Sequence, residues 1–573
     1  LNVSAEGRYC LALRGNGELA PAHWGALGNL IEKMGLPAKQ AGGSSASITM
    51  FLTEAIANNF LVQESRGETQ NVRAAFLMKS LEGFADHLSN TPEWKDFLLL
   101  NQMVHRSSEW LAQIRDAFKN ADQLSESQIK ELLNQKVAAG DPRTVLDAVK
   151  SNFRTGLRLG LISETNYAPL LAALTRVTQG KFTHLSGDAK TIQFYAAELY
   201  KTLSVFGAFD AQTDDNLFFR PGIVDFAKFA EQVGRIATFY STINASENEK
   251  NLWRDLISTC GSKSAGLTWS ELAQNNGACA PALRRLIETH FEEAQQDKSF
   301  LERIAGETIA SYPTTSVLVG EANTDARHRL EEYAHERRSD FGRSFQIQNS
   351  DNVMFGYWGS PADLAKIESN LPKTSDEKSR RFKALGPASW HKILSLSPAE
   401  PGLAALQPFT LNDGEEVVSA GGWSDLHPVL VLRASGCDKV IYVTRRGGES
   451  MFGQGVAKRL LGYDRDWADI KSVALNNGGD RNDMTSLWSK LYNLANRTSS
   501  ISQALQNADA VLCTDWDRFK VTNGIRDLIK DAYKSPYFIR NREGLRGEPL
   551  FPELNARDMH PDGYPIYAGC FAP

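Results

Sequence analysis

Three things are missing from this chain, and each absence removes a class of function. No uninterrupted apolar run is long enough to span a bilayer; the longest, such as Phe97–Leu100 and Pro428–Leu432, are core-sized. There is no basic excess: 63 Lys and Arg stand against 68 Asp and Glu, a formal net charge of −5. Nucleic acid is therefore not expected as a partner, since phosphate binding needs a basic surplus. Peripheral membrane contact stays open, because a small basic or apolar patch can sit inside a neutral average. Only six cysteines occur in 573 residues, with no C-x-x-C pair and no clustered Cys/His spacing, so neither a metal nor a cofactor is expected. No fixed repeat period is found either, which argues against a solenoid.

The six cysteines neither demand nor forbid disulfides. Cys10 and Cys437 lie in or beside core elements and read as buried thiols. Cys260 and Cys279 flank a Gly/Ser-rich turn region and could pair, as could Cys513 with Cys570. A start at Leu1 rather than methionine suggests that an N-terminal piece, which could have carried a secretory signal, has been removed or left out. The compartment stays open, with a lean towards a secreted or periplasmic protein.

What is present is concentrated at the start. The apolar segment Tyr9–Leu13 runs into Gly15-Asn16-Gly17 and then a helical pattern through Trp24, Leu27, Leu30 and Ile31. A second short segment ends in Gly42-Gly43-Ser44-Ser45-Ala46-Ser47, and a helix, Ile48–Leu61, follows at once. Strand, tight small-residue turn and helix form the layout of a nucleophile elbow, in which small residues two before and two after a serine let the chain bend and expose the hydroxyl. Gly43-Ser44-Ser45-Ala46-Ser47 places Ser45 at that point, with Gly43 and Ser47 as its small neighbours. The helix would also aim free N–H groups and the positive end of its dipole at charge developing there.

Residues 1–62 thus read as the opening of an α/β sheet. From about Gly67 to Ile309 apolar residues recur at helical spacing, in Val72–His87, Trp94–Val104, Trp110–Phe118, Ile129–Val137, Val145–Leu157, Ile192–Phe206, Phe226–Tyr240 and Leu283–Phe291. Residues 63–312 therefore read as an α-helical insertion or cap. Strand patterns return at Ser316–Val319, Phe345–Ile347, Val353–Tyr357, Glu415–Ser419 and Lys439–Thr444, with helices at Trp390–Leu396 and Pro428–Ala434. Residues 313–450 then resume the first sheet. Residues 451–573 form a C-terminal α/β extension, with a helix at Met484–Ala495 and a strand at Ala508–Cys513.

Three segments, taken together and in order, resemble the patatin-like phospholipases. They are Leu13-Arg14-Gly15-Asn16-Gly17 with His23 and Gly25 beyond it, Gly43-Ser44-Ser45-Ala46-Ser47, and Ala420-Gly421-Gly422-Trp423-Ser424-Asp425-Leu426-His427-Pro428. That family has a glycine-rich oxyanion loop, a G-x-S-x-G elbow and a D-G-G/A motif, and works through a Ser–Asp dyad without histidine. The resemblance covers residues 8–62 and about 313–444. It implies a three-layer α/β/α sandwich, here with a large helical insertion and a C-terminal extension. It also implies hydrolysis of carboxylic esters in phospholipids or other acyl lipids. By this resemblance Ser45 is the nucleophile, Gly15, Asn16 and Gly17 form the oxyanion hole, and Gly421 and Gly422 belong to the acidic motif. A protein activator is neither implied nor excluded.

The departures matter. Where the family has further glycines and a basic residue, this chain has Asn16, Leu19 and Ala20, a small change because backbone N–H groups hold the oxyanion. The larger one is Ala420, which occupies the place of the catalytic aspartate. A serine hydroxyl is a poor nucleophile until a base takes its proton, and a methyl group cannot. Either an Asp→Ala change was introduced, or this is a natural pseudoenzyme or an enzyme with a substitute base. The intact Gly421-Gly422…Pro428 surroundings favour the first, so the parent protein is expected to be an enzyme. Two other readings remain: a non-catalytic lipid- or protein-binding module, and an esterase or thioesterase for small acyl substrates.

Overall fold

The computed structural model describes, a few isolated positions aside, residues 9–15, 22–89, 125–147, 164–179, 225–336, 353–371, 382–399, 404–421, 428–445, 508–514, 536–541 and 546–554. The expected helices Trp94–Val104, Trp110–Phe118 and Met484–Ala495, the strand Phe345–Ile347, most of Val145–Leu157 and Ile192–Phe206, and the pairing of Cys513 with Cys570 lie outside the described residues.

Among the described residues, ten strands make one sheet. They are β1 (Cys10–Leu13), β2 (Lys39–Gly43), β3 (Ala310–Leu318), β4 (Val353–Tyr357), β5 (Phe382–Ala384), β6 (Gln407–Thr410), β7 (Glu416–Ser419), β8 (Val440–Arg445), β9 (Ala510–Thr514) and β10 (Pro536–Asn541). The main path runs β10-β9-β8-β1-β2-β3-β4-β5. Strands β9, β8, β1, β2 and β3 are mutually parallel along it; β4 is antiparallel to β3 but parallel to β5, and β10 is antiparallel to β9. The hairpin β6–β7 joins through an antiparallel pairing of β7 with β3. The protein is thus mixed α/β with a mostly parallel central sheet. Strands β3 to β10 extend the sheet begun by β1 and β2.

The helices used below are α1 (Ala22–Met34), α2 (Ser45–Ala57), α3 (Gly67–Ser89), α4 (Phe226–Ser241), α5 (Glu247–Cys260), α6 (Cys279–Leu286), α7 (Pro361–Asn370), α8 (Trp390–Leu396) and α9 (Pro428–Ala434). They cover both faces of the sheet, which is why β1 reads as an unbroken apolar run rather than an alternation. Leu11 and Leu13 of β1 point into one core with Leu27 of α1 and Phe51 of α2. Cys10 and Ala12 point the other way, onto Leu364 of α7 and Val429 of α9.

The helical stretch after residue 63 shares that first core. Phe76 and Phe84 of α3, Tyr240 of α4, Trp253 of α5 and Leu283 of α6 belong to the same buried cluster as Leu11 and Phe51. Its described helices therefore continue the layer laid over the sheet by α1 and α2. Close packing of α1 on α3 puts Lys79 under Gly28, where a Cβ would lie 2.4 Å from the lysine Cγ. The buried ammonium donates to Glu32 at 2.7 Å and to the Ser264 carbonyl at 2.6 Å. Burial holds it below the usual lysine range despite the Glu32 charge.

Strand β3 is longer than its sequence pattern suggests, starting at Ala310 rather than Ser316. Its first half, Ser311-Tyr312-Pro313-Thr314-Thr315, is polar and holds a proline, which normally argues against a central strand. The proline is accommodated because the pairing with β4 begins only at Thr314, so no ladder donor is needed at Pro313 on that side.

Cys10 and Cys437 are buried as expected, but they are not thiols: they form a disulfide, with Cα atoms 6.3 Å apart. Strands β1 and β8 are parallel neighbours with Cys10 opposite Val440, which brings the loop before β8 to the first strand across 427 residues of sequence. Cys260 and Cys279 also form a disulfide, joining the end of α5 to the start of α6. Non-reducing peptide mapping should recover Cys10 linked to Cys437 and Cys260 linked to Cys279. Because the first bridge closes so long a loop, Cys10→Ser with Cys437→Ser should cost about 2–5 kcal/mol, read as a lower denaturant midpoint.

Candidate active site

Strand β2 leads straight into α2, and a single residue makes the turn between them. That residue is Ser44, with φ 56° and ψ −133°. The other described non-glycine residue with positive φ is Thr242, an ordinary left-handed helix cap at φ 52°, ψ 20°. The Ser44 conformation is far less populated and costs on the order of 1–3 kcal/mol, so the surroundings must hold it.

The small residues that permit the bend are therefore Gly42 and Ala46, two before and two after Ser44. A Cβ on Gly42 would meet the Ala46 Cβ at 2.9 Å and the Leu13 carbonyl at 2.8 Å. This moves the elbow one residue from where the sequence spacing set it. Ser45, the expected elbow serine, is the first residue of α2, so its backbone N–H rather than its hydroxyl follows the bend. Gly43 is the last residue of β2. The Ser47 hydroxyl donates to the Ser44 carbonyl at 2.6 Å, closing the first turn of the helix. Both Gly42-x-Ser44-x-Ala46 and Gly43-x-Ser45-x-Ser47 satisfy the small-residue rule, so spacing alone could not choose between them.

Gly15, at the end of β1, lies against this bend. A Cβ there would come within 3.0 Å of the Ser44 Cβ, 3.0 Å of the Gly43 carbonyl oxygen and 3.7 Å of the Ser44 Oγ. Asn16 and Gly17 lie outside the described residues. Arg14, just before, is buried, and its guanidinium donates to Thr444 Oγ1 at 3.4 Å at the end of β8. His23 is buried on α1, in the layer that covers the sheet.

Ala420 reaches the same place from the opposite direction. One edge of β3 is shared by two strands: β2 occupies it up to the pair Gly43–Thr314, and β7 occupies it from Ser419–Val317 onward. Ala420 continues that second ladder, donating its N–H to the Ser316 carbonyl at 2.9 Å, while Ser316 donates to the Gly421 carbonyl at 2.9 Å. The β3 partners of Gly43 and Ala420 are two residues apart, about 7 Å along the strand. The chain ends at Ser44 and Ala420 thus meet head to head. Ala420 is buried, and Gly421 turns away with φ 61°, a left-handed value that glycine adopts at low cost. Its N–H donates to Ser419 Oγ at 3.1 Å, and that oxygen pairs with Thr315 Oγ1 at 2.7 Å. Gly422, Asp425 and His427 lie outside the described residues.

All of this sits at the carboxyl ends of β1 and β2. The chain leaves β1 towards β2 on one side, while β8 flanks β1 on the other, so the strand order reverses there. Ligands in open α/β sheets bind outside the carboxyl ends of strands at such a reversal. Among the described residues, no helix is long and apolar enough to cross a membrane, and no group of three or more His, Cys, Asp or Glu could hold a metal. No family model, curated protein or solved structure matches this chain.

Two supports of the elbow had no local signal in the sequence. Ser397 Oγ accepts the Ser44 N–H at 2.8 Å across 353 residues. Glu54, buried on α2, accepts from Trp390 Nε1 at 2.6 Å, from the Gly306 and Ile309 amides at 3.2 and 3.4 Å, and from Ser311 Oγ at 3.3 Å. Burial pushes the Glu54 carboxyl up to about 7, outweighing these donors, which pull it down.

The sign of the resulting pH dependence follows from linkage. A carboxyl that titrates near 4.5 in the unfolded chain and near 7 in the folded one binds more protons when folded between those values. Stability from this site is therefore greatest below about 4.5, falls as the pH rises, and levels off above about 7. Denaturant midpoints between pH 5 and 8 should show this fall. Glu54→Gln should show a flatter profile, at a lower level near pH 5 because its amide would oppose the Trp390 donor. Parallel profiles would exclude Glu54 as the titrating group.

Proposed function

We propose that this chain has the scaffold of a patatin-like serine acyl hydrolase, built as a three-layer sandwich, with Ser44 as the nucleophile. Four features support the reading: a strained serine between strand and helix, the Gly42–Ala46 close approach beneath it, the β1 loop against its side chain, and residue 420 facing it along β3. The strained serine carries the most weight, because such a conformation is retained at a cost and clusters at functional sites.

In the proposed reaction, Ser44 Oγ attacks the carbonyl carbon of an acyl ester as its proton passes to a carboxylate at position 420. Negative charge gathers on the former carbonyl oxygen. Backbone N–H groups at the start of α2, beginning with Ser45, and from the Gly15 loop stabilise it, helped by the positive end of the helix. The tetrahedral species collapses, the C–O bond to the alcohol breaks, and the acid at position 420 returns the proton to the leaving alkoxide. Water, giving its proton to the same group, then attacks the acyl carbonyl; the bond to Ser44 Oγ breaks, the acid at position 420 returns the proton to Ser44 Oγ, and the fatty acid leaves. With alanine at 420 no side chain there can move that proton. The chain as it stands binds substrate and turns it over slowly.

The substrate class we favour is the ester bond of glycerophospholipids or other acyl lipids, met at a membrane surface. The Ala420 side chain itself favours a second reading, in which the scaffold only binds lipid or protein.

Ala420→Asp separates the two. It should raise fatty-acid release from phospholipid vesicles by about two to four powers of ten. Adding Ser44→Ala should abolish that gain, whereas adding Ser45→Ala should leave most of it. No gain over the Ser44→Ala control would point to the binding module. Loss with Ser45→Ala but not with Ser44→Ala would return the nucleophile to residue 45. Equal preference for soluble short-chain esters would remove the membrane substrate.

A further inference from the structure

Helix α8 lies antiparallel to α2 and is tied to it at both ends. At its start, Trp390 donates its indole N–H to Glu54 near the far end of α2, with the Trp390 ring 5.1 Å from that of Phe51. At its finish, Ser397 caps α8, donating its backbone N–H to the Ile393 carbonyl at 2.8 Å. The hydroxyl of this fully buried serine makes two bonds at once: it accepts the Ser44 N–H at 2.8 Å and donates to the Thr314 carbonyl at 2.7 Å.

Those two partners have a specific relation. Thr314 is the last β3 residue paired with β2, and Ser44 is the first residue to leave that ladder. Had β2 continued, a backbone bond would have closed this part of the ladder. The elbow swings the chain away, leaving a buried N–H and a buried C=O too far apart to meet. A hydroxyl has one donor and two acceptor positions, so it can bridge such a gap. The next β3 residue on that edge, Ser316, is already bonded to Ala420 and Gly421.

We propose that Ser397 is a positioning residue for the elbow, and that α8 is the clasp that holds the Ser44 peptide in its strained geometry beside residue 420. This rests on Ser44 being the nucleophile, but the clasp itself can be tested without activity. The first measurement is hydrogen exchange by mass spectrometry on the full chain. Ser397→Ala should speed exchange in peptides spanning residues 40–50 by about tenfold or more, while peptides from β8 stay unchanged. Ser397→Thr, which keeps the hydroxyl, should restore the parent rate.

The second measurement uses the Ala420→Asp background with a soluble ester. There Ser397→Ala should lower kcat about ten- to a hundredfold and leave KM within about twofold, since misplacing a reacting group harms the reaction more than binding. Ser397→Thr should recover most of the loss, and Ser397→Cys, which fills the space but bonds weakly, should behave like Ala. Unchanged exchange at residues 40–50 overturns the clasp. Faster exchange with unchanged kcat in an active parent overturns its role in positioning. An inactive Ala420→Asp parent counts against the hydrolase reading alone, and the exchange result still decides the clasp.

Discussion

One edge of strand β3 organises the site. A strand edge offers a row of backbone donors and acceptors that must be paired if they are buried. Here two strands divide that row, β2 as far as Thr314 and β7 from Val317 onward with Ala420 and Gly421 continuing it to Ser316, running towards each other. Where they meet, both chains must turn out of the sheet. The turn from β2 is the strained Ser44, and the turn from β7 begins at Gly421. The convergence of residues 44 and 420 is thus a consequence of ladder geometry. It needs no direct bond between the two side chains.

Holding such a junction requires rigid surroundings, and several distant parts of the chain supply them. Gly42 and Ala46 approach so closely that a side chain on Gly42 would force the bend open. The Thr315–Ser419 hydroxyl pair secures the β7 arm, and Ser397 closes the gap in the ladder. Trp24 Nε1 donates to Thr49 Oγ1 at 3.2 Å, locking α1 to α2 above β1. Under these lies a core that runs from β1 through α2 into the helices after residue 67, with rings such as Phe84 and Phe291 edge to face at 4.8 Å. Buried polar networks of this kind are costly unless fully bonded, and Glu54 with its four donors shows that cost in its raised proton affinity.

Much of the fold was legible because most elements announce themselves locally. The strand at Val353–Tyr357 and the helices at Trp390–Leu396 and Pro428–Ala434 match their sequence patterns, since their apolar periodicity and turn residues all lie within one short window. Strand β3 was half hidden because its early residues are polar and include Pro313, tolerable only through the placement of β4. The Cys10–Cys437 bridge was hidden because pairing depends on which strands become neighbours, information that 427 residues of separation erase from any local reading. Adjacent serines made the elbow ambiguous in the same way. Two overlapping small-residue frames fit equally well until φ and ψ chose one.

Local sequence determined that a tight turn joins a short strand to a helix near residue 44 and that a glycine, Gly15, stands just beyond the first strand. These depend only on the steric demands of neighbouring residues. Which serine bears the strain, which hydroxyl bridges Ser44 to Thr314, and whether residue 420 reaches that bend were decided by the tertiary structure alone. Each depends on strand register, and register is settled by the packing of side chains from the whole chain rather than by any one segment.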